Sequence, residues 1–199
     1  MDIEIEGENI YLKNKVVSKL DIFVVDFINI LKKYMDYVVV SGYISILFGR
    51  SRGTEDIDIL INKIDRDTFL NFHNELIEKN YWFLNAENPN ELFGMLEDEL
   101  AIRVAVKDNV IPNIEIKFVK SQLDRISLKE HKVAQLDKYG INISPIELQI
   151  AFKLYLGSDK DIEDAAYLYE IFSAYLSKFK IKYFMDILGV KRGDYGFEI

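Results

Sequence analysis

The chain has 199 residues, 49% of them hydrophobic and 13% aromatic, with a formal net charge of −8 and no cysteine. That composition supports a folded core and excludes a disordered polar chain, while the lack of cysteine excludes disulfide frameworks, thiolate metal sites and thiol nucleophiles. The acidic total argues against general affinity for a nucleic-acid backbone, though not against a local basic groove.

Along the chain, residues 3–12, IEIEGENIYL, alternate and predict a short hairpin around GEN. Leu20, Val24, Phe27 and Leu31 follow at helical spacing within 18–34, behind Ser18 as N-cap. YVVVSG predicts a short buried strand and a turn, YISILFG a helix, and DIDILIN the next strand. Residues 65–79 read as an amphipathic helix with His73 on its surface, YWFL as a strand and 90–98 as a helix. LAIRVAVK and NIEIKFV alternate, with DNVIPN as a hairpin connection. After about residue 120 the pattern becomes mainly helical. SPIELQIAFKLYL opens with Ser144, Pro145 and Glu147 in a capping-box arrangement, and helices over 159–173 and 177–188 follow the break at Gly157-Ser158. The division expected is therefore a mixed α and β domain over 1–120 and a mainly helical subdomain over 121–199. No apolar run approaches the ~20 residues that span a bilayer. The opening MDIEIEGENI lacks the basic and apolar regions of a signal peptide, so a soluble cytoplasmic protein is expected.

The chemistry concentrates in SGYISILFGRSRGTEDIDIL, residues 41–60. Asp56 and Asp58 are two apart on a strand, and so share a face. Paired carboxylates repel unless a cation sits between them, and magnesium, which takes a few carboxylates together with phosphate oxygens, is the usual cation. Upstream, Gly42 stands between a strand and a helix, where backbone can approach a ligand and the helix start can seat a phosphate. Glu115 in NIEIKF is the candidate third acid, with pairing to Lys117 or to Arg103 across the hairpin as the alternative. Arg52 beside the turn suits a triphosphate, and Lys117 could serve likewise. His73 and His131 are too few and too far apart for a zinc site.

This order of elements resembles the nucleotidyltransferase superfamily that includes DNA polymerase β. The resemblance rests on Val40-Ser41-Gly42, then Asp56-Ile57-Asp58, then Glu115, with Arg52-x-Thr54 in the loop ahead of the acids. Two departures stand out: the family's first glycine is Ser41 here, and the third acid is a glutamate. IELQIAFKLYLGSDKDIEDAAYLYEIF resembles the closing helices of abortive-infection-type nucleotidyltransferases, the toxins of some toxin–antitoxin pairs. Its matching residues are Lys153, Lys160, Asp161 and Asp164. A solvent-reaching Lys153 and acids placed by the helix dipole are the plainer explanations of that second match.

The resemblance implies an α+β fold of the polymerase β type, a mixed sheet with flanking helices and a small helical carboxy-terminal part. It implies transfer of a nucleoside monophosphate from a nucleoside triphosphate to a hydroxyl of RNA, a tRNA end or a protein. Mg²⁺ or Mn²⁺ would be held by Asp56, Asp58 and Glu115. Ser41, Gly42, Arg52, Thr54, Lys117, Lys160 and Asp161 would contact the nucleotide, with Lys153 closing over it. An antitoxin or a second copy would be the protein partner. Two alternatives stand beside it: an inactive binding or antitoxin-like module of the same fold, and a small-molecule adenylyltransferase.

Overall fold

A computed structural model describes residues 1–190. The carboxy-terminal stretch 191–199, part of the expected helical subdomain, lies outside the described residues.

The amino terminus forms the expected hairpin, β1 (Asp2–Glu6) against β2 (Asn9–Lys13). Helix α1 (Lys19–Leu31) starts where Ser18 predicts it. The Ser18 hydroxyl accepts from the Asp21 N–H, and the Asp21 carboxylate accepts from the Ser18 N–H, closing a capping box. Asp21 is fully buried, and its carboxylate also accepts from Lys15 and from the Tyr43 hydroxyl. Burial would raise its pKa, but those bonds hold it below the ordinary aspartate value.

Next come β3 (Tyr37–Val40), the short helix α2 (Gly42–Leu47), β4 (Asp56–Ile61) and α3 (Arg66–Glu78). They are followed by β5 (Tyr81–Phe83), α4 (Pro89–Glu97), β6 (Ile102–Val106) and β7 (Asn113–Phe118). Helix α5 (Gln122–Lys129) leads to β8 (Lys132–Leu136) and β9 (Tyr139–Ile143). The chain then runs through α6 (Ile146–Leu156), α7 (Asp159–Phe172) and α8 (Lys178–Leu188).

Among the described residues the strands make one nine-stranded mixed sheet in the order β1-β2-β8-β9-β3-β4-β7-β6-β5. β4 lies between antiparallel β3 and parallel β7, which places its acids at the centre of the sheet. A hairpin, β8-β9, enters the sheet within the stretch that the sequence pattern reads as mainly helical. These are two five-residue strands of mixed polarity, and their turn at Asp137-Lys138 lacks the glycine that marks a tight hairpin. Two further expectations change. Ser144 does not cap α6: it is buried and its hydroxyl bonds that of Ser127 at 2.9 Å, while Pro145 holds the cap position. His73 is not a surface residue: it is 8% exposed and stacks on Phe83 with ring centroids 4.8 Å apart.

Helix α6 packs against both α7 and α8. Phe48, just past α2, meets Phe172 of α7 edge-on at 4.7 Å, and both are buried. Full burial of such a side chain is worth roughly 1.5–3 kcal/mol, so this contact ties the helical part to the strand-turn-helix unit. No described helix is long and apolar enough to cross a membrane.

Candidate active site

β4 carries Asp56, Asp58 and Leu60 on one half-buried face, and Ile57, Ile59 and Ile61 on the other, packed into the core. Strand alternation dictates this: the isoleucines bury one side and fix where the acids point. Val40 pairs with Asp58 across the β3-β4 ladder, so the turn after β3 opens beside the second aspartate.

That turn is strained. Ser41 has φ 64° and ψ −140°, in a region that a residue with a Cβ rarely occupies. Its N–H donates to Oε1 of the buried Gln149 on α6 at 2.8 Å, and its hydroxyl stabilises the ionised form of Asp58. Gly42 follows, and a Cβ there would lie 2.6 Å from Nη2 of Arg52. Glycine is thus needed for the guanidinium to reach the turn.

Glu115 of β7 sits level with Asp58 in the parallel ladder and with Arg103 in the antiparallel one. Arg103 Nε donates to its Oε2 at 3.0 Å, Lys117 pairs with its Oε1, and Lys117 also lies 3.7 Å from Asp58. Burial would raise the pKa of Glu115, but Lys117 and Arg103 hold it low. Burial would lower that of Lys117, but Glu115 and Asp58 hold it high. Asp58 goes the other way: burial raises its pKa, the Glu115 and Asp56 charges add to the rise, and Lys117 offsets only part of it.

The arginines of the loop ahead of β4 reach the carboxy-terminal helices. Asp164 of α7, wholly buried, pairs with Arg50 Nη1 at 2.5 Å, with Arg52 Nη1, and with Lys153 Nζ at 3.1 Å. Lys153 is itself 2% exposed and pairs with Asp161 at 2.7 Å. Arg50 also bonds Glu163 and the Lys160 carbonyl. Thr54 donates its hydroxyl to the Asp56 carbonyl at 2.8 Å, shaping the entry to β4.

Of the residues singled out in the sequence, Ser41, Gly42, Arg52, Thr54, Asp56, Asp58, Glu115 and Lys117 surround one end of β4. Lys153 and Asp161 act one layer back, in the ion-pair cluster that grips Arg52, and Lys160 contributes its backbone carbonyl to the same cluster. Beside Asp58, Ser41 and Lys117 opens a cleft of about 480 Å³, walled by Phe152, Tyr155 and Leu188. Sequence reasoning missed Gln149 and Asn113. Neither carries a charge or a motif, and only the fold shows that one holds the turn and the other holds Asp56.

Asp56 and Asp58 suit a magnesium ion. They are oxygen donors two residues apart on one half-buried face of β4, the donor type that ion takes. Glu115 differs, since both its oxygens are engaged. Among the described residues no group of three or more His, Asp and Glu is arranged to hold a metal. The fit is therefore that of a two-carboxylate site completed by ligand oxygens.

No protein-family model and no curated protein matches the chain. Among solved structures it is similar to an antigenic nucleotidyltransferase-like protein from Paracoccidioides brasiliensis, with a TM-score of 0.51 and 14% identity over 84% of this chain and 85% of that one. It is also similar to the antibiotic-resistance factor ANT(2'')-Ia, with a TM-score of 0.53 and 14% identity over 85% of this chain and 92% of that one. These likenesses define the fold as nucleotidyltransferase-like.

Proposed function

We propose that the protein is a metal-dependent nucleotidyltransferase, moving a nucleoside monophosphate from a nucleoside triphosphate to a hydroxyl acceptor. The observation that carries this reading is the placement of Asp56 and Asp58 on one face of β4, directly beside the strained Ser41-Gly42 turn. Strain of this kind costs roughly 1–3 kcal/mol and is retained where the surroundings have a use for it.

Asp56 and Asp58 would hold Mg²⁺ or Mn²⁺, which would neutralise charge on the transferring phosphoryl group. Gly42 itself is buried beneath the Arg52 guanidinium, so phosphate oxygens would meet the turn at the half-buried Ser41. Nη2 of Arg52, which lies over that turn, and Lys117 supply the positive charge that meets them. The cleft walled by Phe152 and Tyr155 would offer aromatic faces to a base or an acceptor. Asp164, Asp161 and Lys153 keep Arg52 at the turn rather than closing over the nucleotide themselves. An RNA end, a tRNA end or a protein hydroxyl is the acceptor this reading favours. A toxin's role beside an antitoxin rests on the likeness of the helices carrying Lys153 and Asp161.

One observation favours a second reading, a binding module of the same fold without catalysis: Arg103 and Lys117 occupy both oxygens of Glu115. Incubation with α-labelled nucleoside triphosphates, Mg²⁺ and total RNA or protein separates the two. Pyrophosphate release with label in a macromolecule supports transfer. Metal-dependent nucleotide binding without release supports the module.

A further inference from the structure

We infer that Asn113 is a positioning residue that sets the Asp56 carboxylate for a divalent cation, an inference that rests on the metal-dependent reading above. Asn113 opens β7, stands level with Asp56 in the parallel ladder, and is 4% exposed. Its Nδ2 donates to Asp56 Oδ1 at 2.7 Å, with the Val110 and Glu55 carbonyls further away at 3.3 and 3.4 Å. Its own N–H donates to the Glu55 carbonyl at 2.9 Å, so the amide is carried on a fixed stretch of backbone.

The other end of the amide is the telling part. Asn113 Oδ1 is buried and has no hydrogen-bond partner among the described residues. A buried carbonyl without a partner costs folding energy, and an apolar side chain of the same size would avoid that cost. Turning the amide over would not help, because Oδ1 would then face the Asp56 carboxylate. The side chain is therefore poorly explained by core packing and well explained by what its N–H does. It fixes one oxygen of Asp56 and leaves the other directed by that bond. Partners of this kind, which orient a carboxylate ligand, typically change metal affinity 10–100-fold when removed.

The test uses Mn²⁺ as probe, with free ion counted by electron paramagnetic resonance during titration of the intact chain. Asn113→Leu, checked for folding by circular dichroism, should bind Mn²⁺ about 10–100-fold more weakly than the wild type. Asn113→Ser, which keeps a small donor in the strand, serves if the leucine variant does not fold, and should also bind more weakly. Variants that fold and bind Mn²⁺ as the wild type does would overturn the role of Asn113 alone. If the wild type binds no more Mn²⁺ than Asp56→Ala/Asp58→Ala, the metal reading itself has failed, and the inference falls with it.

Discussion

Asp164 offers the sharpest test of how the two parts of the chain are joined. Its carboxylate is fully buried and compensates three cations, Arg50, Arg52 and Lys153, of which Lys153 is almost completely enclosed. Asp164→Asn keeps the shape and removes the charge, leaving buried cations around an amide with one acceptor oxygen. Breaking a buried ion pair from one side costs about 3–5 kcal/mol, because the remaining charge is left uncompensated. In a chain of this size each kcal/mol lowers the melting temperature by roughly 2–4 °C, which gives a drop of ~6–20 °C. Circular dichroism melts of wild type and variant at pH 7 measure it. A drop below ~2 °C would mean that Asp161, Glu163 and water compensate the cations unaided. The cluster would then not be what fixes Arg52 at the turn.

The remaining predictions concern the turn and the acids. Ser41→Gly should raise stability by about 1 kcal/mol, since glycine occupies φ 64° without a Cβ clash; a loss in the urea midpoint would contradict the strain argument. Gly42→Ala should cost roughly 1–3 kcal/mol and weaken nucleotide binding, because the new methyl meets a guanidinium that Asp164 holds in place. Asp58→Asn should melt higher than wild type at pH 7 in the presence of a chelator. A carboxyl whose folded pKa is raised is ionised at a cost above its unfolded pKa, so the gain should vanish below pH ~4, where both forms are neutral. Asp161 has the opposite sign. Burial raises its pKa, but Lys153 and Ser158 bring it below the ordinary value. The stability it adds is full above the unfolded pKa and is lost as pH falls through the folded one, so Asp161→Asn should flatten acid unfolding below pH ~4.

The layout of the candidate site was legible where chemistry and periodicity coincide in a short stretch. Acids alternating with isoleucines on β4 can only share a face, and a small-residue turn between strand and helix brings backbone to them. Ser18 and Gly157 likewise marked real helix ends, by side-chain capping and by a left-handed φ of 70°. What could not be read was long-range. Ser144 has the sequence of a cap and instead bonds a serine on another helix, an outcome set by packing. β8 and β9 are too short and mixed to announce themselves, and they become strands because β2 and β3 offer open edges. Lys153 of α6 and Asp161 of α7 read in the sequence as nucleotide contacts, and only the fold brings Arg50 and Arg52 to meet Asp164 beside them. His73 reads as a surface residue until Phe83 covers it.

The central claim is that Asp56 and Asp58 bind a metal that binds a nucleotide. Calorimetric titration of ATP, GTP, CTP and UTP with and without Mg²⁺, on wild type and Asp56→Ala/Asp58→Ala, tests it most directly. Binding of at least one nucleotide that needs both the ion and the two aspartates is the expected result. Equal binding by the double variant, or no binding of any nucleotide with Mg²⁺ present, would contradict the account.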